Sequence, residues 1–386
     1  MRAIGDTVGA WKAPILRYER HLSALAMVVG FGVDNFTFGR VDHPGAHIVF
    51  CAYLAVAVVS IAIAHALQGR EDRNAAQERA RLVPGAASPE QQPRPRSRFR
   101  LWLAAATQFA LGGLWSGFLV FYSRSAVLST SWPFLLLLLG FLVGNEIFRK
   151  YHSRLVFASL LLFFALYSYA VFVVPVFTKT MGVATFLGSG ALAGAAYYLF
   201  LRLLGELDRA RYRQSRWKLV GGALAIAAAM NVFYFTGVLP PLPLALSDVG
   251  VYHAIRHNGA VYQAQYESQP WMVRLGLGRP IVHVAPGEKL ALYSAVFAPI
   301  KMTTRITHRW QKWDGRAKAW RVAGVVSFSI SGGRDRGYRG YSVKSAPAPG
   351  DWRVDIDAAD GRRIGRLAFT IVGTSSPIAT TTKILP

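Results

Sequence analysis

Residues Lys301–Trp313 read KMTTRITHRWQKW. Met302, Ile306 and Trp310 fall on one side of a period-two alternation, and Lys301, Arg305, Arg309 and Trp313 fall on the other. Such alternation describes a β-strand with one face buried. The same period recurs downstream. In AWRVAGVVSFSI, Trp320, Val322, Val326, Phe328 and Ile330 share a face, and in DWRVDID, Trp352, Val354 and Ile356 do. VYHAIR, AVYQAQYES, KLALYSAVFAP and IGRLAFTIV extend the pattern on both sides, separated by Gly, Pro and Asp turns, and ADGRR reads as a hairpin turn. Roughly seven to nine short strands over about 250–373 predict an all-β, sandwich-like domain. About 125 residues are enough for an independent core. The stretch of about 374–386, SSPIATTTKILP, reads as a loose tail.

Upstream of a linker at about 240–249 the pattern changes. The chain has 386 residues, is 53% hydrophobic and carries a formal net charge of +24. That combination suits a membrane protein whose positive charge gathers in loops on one side. Apolar runs long enough to cross a bilayer, about 20 residues each, occur at roughly 22–39, 45–67, 101–122, 127–147, 155–176, 183–204 and 219–239. The fold class read here is therefore a membrane α-helical bundle of about seven transmembrane helices, followed by an extramembrane β-sandwich. The single cysteine, Cys51, lies inside an apolar run, so no disulfide framework is possible.

Loop charge sets the expected orientation. The N-terminal stretch of about 1–21 and the loops near 68–100, 148–154 and 205–218 hold most of the arginines and lysines of this half, whereas the alternate loops hold only Arg40, Arg124 and Lys179. This bias predicts a cytoplasmic N-terminus. With an odd number of spans, the β domain lies on the far side, the periplasm of a bacterial inner membrane. The stretch of about 69–98 is rich in Arg, Gln and Pro and predicts a disordered cytoplasmic loop.

Polar residues in the spans are few. Asp34, with Asn35, precedes Arg40 near the outer end of the first span, and Asn145 and Glu146 precede Arg149 and Lys150 at the inner end of the fourth. An intramembrane acid is either functional or an interfacial ion pair. Gln108 and Asn231 are placed to join spans three and seven by hydrogen bonds. A small-solute transporter would need Asp34 or Glu146 to face a cavity. A membrane-embedded enzyme acting on a lipid-linked substrate would need Asp34, Arg40, Asp42 and His43 to converge.

The motif GGRDRGYRGYS, Gly332–Ser342, carries the densest chemistry of the β domain. Arg334, Arg336 and Arg339 are planar donor forks suited to carboxylates and phosphates. Tyr338 and Tyr341 offer flat rings. Arg305, Arg309 and Trp313 belong to a polar face nearby. Two readings stand: a basic, aromatic surface for an anionic glycan, lipid head group or partner protein, and a tight connection whose arginines pair with Asp335, Asp351 and Asp355. Nucleic acid is not expected as a partner, because much of the charge is loop arginine on the cytoplasmic side.

No cofactor or metal is expected. His253 and His257 lie roughly 13 Å apart if they sit on one strand, so His253, His257, His283 and His308 read as packed or solvated side chains. Asp355, Asp357, Asp360 and Gly361 miss a calcium-loop spacing by one residue and read as a strand and its turn. No G-x-S-x-G, H-E-x-x-H, P-loop or dinucleotide fingerprint occurs, so the expected activity is non-enzymatic.

VFAPIKMTTRITHRWQKW, GGRDRGYRGYS, PGDWRVDI and DGRRIGRLAF, in that order, resemble the bacterial family called domain of unknown function 2914 over about 250–373. A preceding polytopic membrane region that ends in a Pro-Pro turn is similar to one common companion of that domain. The resemblance implies an identity for the β domain and no activity.

Overall fold

The computed structural model describes residues 44–81, 98–126, 128–147, 154–258, 261–274, 278–299, 302–332 and 337–385. The expected first span, with Asp34 and Arg40, lies outside the described residues. Six long helices follow: α1 (Pro44–Arg81), α2 (Arg98–Ser125), α3 (Leu128–Ile147), α4 (Leu155–Thr178), α5 (Val183–Leu207) and α6 (Arg209–Phe235). Five of them, all but α3, are long and apolar enough to cross a membrane. α3 carries a shorter apolar stretch, Thr130–Asn145. Among the described residues there are thus five such helices, and the expected count of seven includes one span outside them.

Two compact units are present. The first contains most of the helical residues. Its core is aromatic, with Trp115 buried against Phe118, Phe141 and Phe164. The Gln108 backbone carbonyl accepts from the Asn145 amide at 3.0 Å, a bond that joins α2 to α3. Glu146 lies in α3, and its side chain is outside the described residues.

α1 does not stop at the apolar run. It continues through the basic stretch to Arg81, so residues 69–81 are helical rather than unstructured. Two causes are visible. The sequence EDRNAAQERAR is built of good helix formers. Two ion pairs also hold the extension: Arg73 to Asp208 and Asp72 to Arg211, both at 2.9 Å. Asp208 is the single residue between α5 and α6, and its Oδ1 also accepts from the Arg211 backbone N–H, capping α6.

The second unit joins the helix segments 122–134, 171–189 and 230–235 to everything after them. Among the described residues it contains eleven strands and one helical turn, α7 (Trp271–Arg274). β1 (Ala245–Tyr252), β5 (Lys289–Phe297) and β8 (Tyr338–Ser345) form a three-stranded sheet in the order β1-β5-β8. β4 (Ile281–Val284), β6 (Thr303–Asp314), β7 (Ala319–Ser331), β9 (Gly350–Ala358) and β10 (Arg363–Gly373) form a five-stranded sheet in the order β4-β10-β9-β6-β7. β2 (Ala254–Asn258), β3 (Val261–Tyr266) and β11 (Thr381–Leu385) form a third, ordered β11-β3-β2.

The main core lies between the first two sheets. Leu290, Leu292 and Val296 of β5 meet Ile306 and Trp310 of β6, Trp352, Val354 and Ile356 of β9, and Phe369 of β10. Alternate residues of β5, Tyr293 and Ala295, pack instead with Tyr252, Ala264 and Leu385 of the third sheet. β5 is therefore buried on both faces, which explains its nearly unbroken apolar run.

Two segments differ from expectation. The linker ends earlier, because β1 starts at Ala245. The tail is not loose: Thr381–Leu385 pairs with β3 and buries Leu385, as β-branched alternation in TTKIL allows. Two contacts tie the sandwich to the helix ends of its own unit. Met181 packs against the main core, and the Arg362 guanidinium lies 4.7 Å from the centre of the Tyr234 ring.

Candidate functional site

Backbone alternation divides the residues of the glycine-arginine-tyrosine motif. Arg334 and Arg336 lie outside the described residues. Tyr338, Gly340 and Ser342 stand opposite Val296, Ser294 and Leu292, so they face the main core, and Tyr338 packs against it. Arg339 and Tyr341 stand opposite Ala295 and Tyr293, toward the third sheet. There the Arg339 guanidinium lies 5.9 Å from the Tyr262 ring centre, and Tyr341 meets that ring edge-on.

The glycines have steric causes. Gly337 has φ of 82°, a region that favours glycine. A Cβ on Gly340 would run into the Phe328 ring. Gly340→Ala should therefore cost about 1–3 kcal/mol by overpacking, read as a lower urea midpoint of the full chain in detergent. An unchanged midpoint would show that Phe328 is free to move.

Beside Gly340 sits a buried polar network that the motif reading missed. His308 is fully buried, with Nε2 2.8 Å from Ser294 Oγ and Nδ1 2.9 Å from Ser342 Oγ. The Trp310 indole N–H donates to the same Ser342 oxygen at 2.9 Å. Burial pushes the imidazole down to about 4, so it is neutral near pH 7. A neutral ring has one donor and one acceptor, which matches two hydroxyls. A serine-histidine pair sealed inside a core reaches no substrate. The network is architectural.

Arg305, Arg309 and Trp313 share the opposite face of β6, the outer face of the five-stranded sheet. The registers place their neighbours. Arg309 stands opposite Val325 of β7 and Asp355 of β9, and Asp355 opposite Arg366 of β10. Gln311 stands opposite Val322 and Arg353, Trp313 opposite Trp320, and Asp357 opposite Arg363. A bulge between Trp310 and Gln311 leaves Ala323 as an extra residue of β7. It turns Trp320 and Val322 to the outer face, away from Val326, Phe328 and Ile330, with which simple alternation had grouped them.

Asp355 organises the charges. It is 1% exposed, takes two bonds from Arg366 at 2.5 and 2.9 Å and one from the Gln311 amide at 3.0 Å, and lies 3.1 Å from Arg363. Burial alone would raise this carboxyl. The Arg366 hydrogen bonds and the charges of Arg363, Arg366 and Arg353 outweigh burial and hold it below the usual range. Asp357 pairs with Arg309 at 2.6 Å, yet burial pushes its carboxyl up, helped by the charge of Asp355. The Arg353 side chain rests on the Gln311 carbonyl, at 2.9 and 2.7 Å, and stacks 4.4 Å from the Trp320 ring centre. Asp351 accepts from the Thr370 hydroxyl at 2.8 Å.

Five arginines thus stand on this face against three aspartates, two of which are buried beneath the guanidinium groups. Asp355 pairs with arginines of the adjacent strand, β10. Arg305, Arg309 and Trp313 lie together here. Arg339 and Tyr341 are on the far side of another sheet, and Tyr338 is in the core between them.

The histidines contribute a different feature. His253 Nε2 and His283 Nδ1 each lie 2.7 Å from a Glu267 carboxylate oxygen, and the His283 backbone N–H donates to the same carboxylate. Gln269 bonds both the N–H and the C=O of Ile281. These side chains satisfy the outer edge of β4, an edge strand of its sheet. Among the described residues, no group of three or more His, Cys, Asp or Glu is arranged to hold a metal ion.

These strands are also where likeness to other proteins is found. Residues 303–371 match the family described as protein of unknown function, DUF2914. The DUF2914 match is narrower than 250–373. It runs from the first residue of β6 into β10 and so includes the four strands that carry the arginines and tryptophans. No curated protein matches. Among solved structures, the chain is similar to the Pseudomonas fluorescens alkylpurine DNA glycosylase AlkC bound to DNA containing an abasic site analog. That likeness has a TM-score of 0.19 and 10% identity, over 85% of this chain and 99% of the other. At that score it carries no argument about fold or function.

Proposed function

We propose that this is a non-enzymatic protein of the bacterial inner membrane whose β domain stands in the periplasm and binds an anionic ligand of the cell envelope. The orientation rests on the arginine bias of alternate loops. It is supported by the packing of Met181 and Tyr234 with the sandwich, which groups the β domain with helix ends poor in positive charge.

The observation that carries the binding reading is the outer face of the five-stranded sheet. The guanidinium groups of Arg309, Arg353, Arg363 and Arg366 are held in position by Asp357, Gln311 and Asp355, and Arg305 adds a fifth positive charge to the same face. Forks held in this way lose less side-chain freedom when they take up an oxyanion.

The test uses the full chain in zwitterionic nanodiscs. Retention by peptidoglycan, lipopolysaccharide and anionic vesicles is measured over a salt series, beside an Arg305→Gln/Arg353→Gln variant. Salt-sensitive retention of one material is expected. At about 1 kcal/mol per arginine the variant should bind it about 30-fold more weakly. Equal retention of variant and wild type would remove this face from the reading.

A further inference from the structure

The outer face is not uniformly charged. Its arginines come from β6, β9 and β10. The edge strand β7 contributes an apolar row instead: Trp320, Val322 and Val325, with Trp313 of β6 tilted on Trp320 at 5.3 Å. Val322 is 59% exposed, Val325 57% and Trp313 38%. Val325 stands directly opposite Arg309 and Val322 directly opposite Gln311, which holds Arg353. Directly paired side chains on one face lie about 5 Å apart. The guanidinium row and the apolar row are therefore neighbours along the Trp320–Val325 part of β7, one strand apart.

A soluble polyanion would use the arginines and leave the valines and tryptophans in water. An apolar peptide would bury the valines and strand the cations. A ligand that satisfies both rows carries a negative head and an apolar body joined within one strand spacing. We infer that the occupant of this face is an anionic lipid, its phosphate or carboxylate on Arg309 and Arg353 and the start of its acyl region along Val322, Val325, Trp320 and Trp313. The inference rests on the anion-binding reading above and narrows its ligand class. Charge complementarity places the head, and each methylene laid on the apolar row adds up to about 0.8 kcal/mol where it is fully buried.

The experiment titrates the full chain, held in a zwitterionic amphipol, with three probes. They are dihexanoyl phosphatidylglycerol, glycerol phosphate and dihexanoyl phosphatidylcholine. The anionic lipid should bind at least about tenfold more tightly than its head group alone, and the zwitterionic lipid should bind more weakly than the anionic one. A Val322→Ser/Val325→Ser variant should lose most of that tenfold advantage while binding glycerol phosphate as the wild type does. Partition into the amphipol is common to wild type and variant and cancels in the comparison. If lipid and head group bind alike, or the serine variant keeps the full advantage, the lipid assignment is wrong while anion binding stands. If neither anionic probe binds, the underlying reading of this face fails as well.

Discussion

Asp355→Ala will destabilise the β domain by about 3–5 kcal/mol, the range found when one partner of a buried ion pair is removed. The side chain is 2% exposed and stands between Arg363 and Arg366, with the Gln311 amide as a further donor. Its deletion leaves two guanidinium groups facing each other across a space that a methyl group does not fill, and among the described residues no other carboxylate is positioned to replace it. Asp357, the nearest candidate, is already paired with Arg309. Asp355→Asn should recover part of the loss, since an amide keeps the volume and one acceptor oxygen but not the charge. Urea unfolding of the full chain in detergent, followed by proteolysis of the β domain, ranks the three proteins. Equal stability of wild type and Asp355→Ala would mean that the cluster is solvated and contributes only surface charge. Acid should reveal the same cluster. The Asp355 carboxyl lies below its unfolded value, so its contribution is full above that value and is lost as pH falls through the lower, folded one.

Much of this architecture was legible, and the failures have identifiable causes. Lys301–Trp313 places Ile306 and Trp310 inward and Arg305, Arg309 and Trp313 outward, as the strand does. His308 falls between Ile306 and Trp310 on the inward parity, so its burial was available from the same alternation. Period two fails only where the ladder does: one bulge at Ala323 reverses Trp320 and Val322. The glycine-arginine-tyrosine motif misled for a different reason. Neighbours in sequence on a strand point to opposite faces, so Tyr338 and Arg339, adjacent in the chain, belong to different layers. The partners of Asp355 could not be read, because register between β9 and β10 is set by the turn at Asp360–Gly361 and by the core on the other face. In the helical half, length and hydropathy located five helices apolar enough to cross a membrane, whereas the helical extension to Arg81 depends on ion pairs to Asp208 and Arg211 far along the chain.

The charged face is attached to a core that has its own pH limit. His308 is neutral inside the sandwich, with the imidazole at about 4 against about 6.5 in the unfolded chain. Between those values the unfolded state takes up a proton that the folded state refuses. Stability therefore falls as pH drops through 6.5 and levels off below about 4. The loss is about 2 kcal/mol at pH 5 and about 3 kcal/mol once both states are protonated. A His308→Gln variant isolates the effect. Glutamine can donate to one serine and accept from the other, and it does not titrate. At pH 7 the variant should be the less stable protein, because its amide fits the Ser294–Ser342 gap less well than the ring. By pH 5 the gap between wild type and variant should shrink by about 2 kcal/mol, whatever the carboxylates of the outer face contribute, since those titrate alike in both. Two unfolding curves that keep a constant separation from pH 7 to pH 5 would mean that water reaches His308, and that the network between Ser294 and Ser342 opens without unfolding the sandwich.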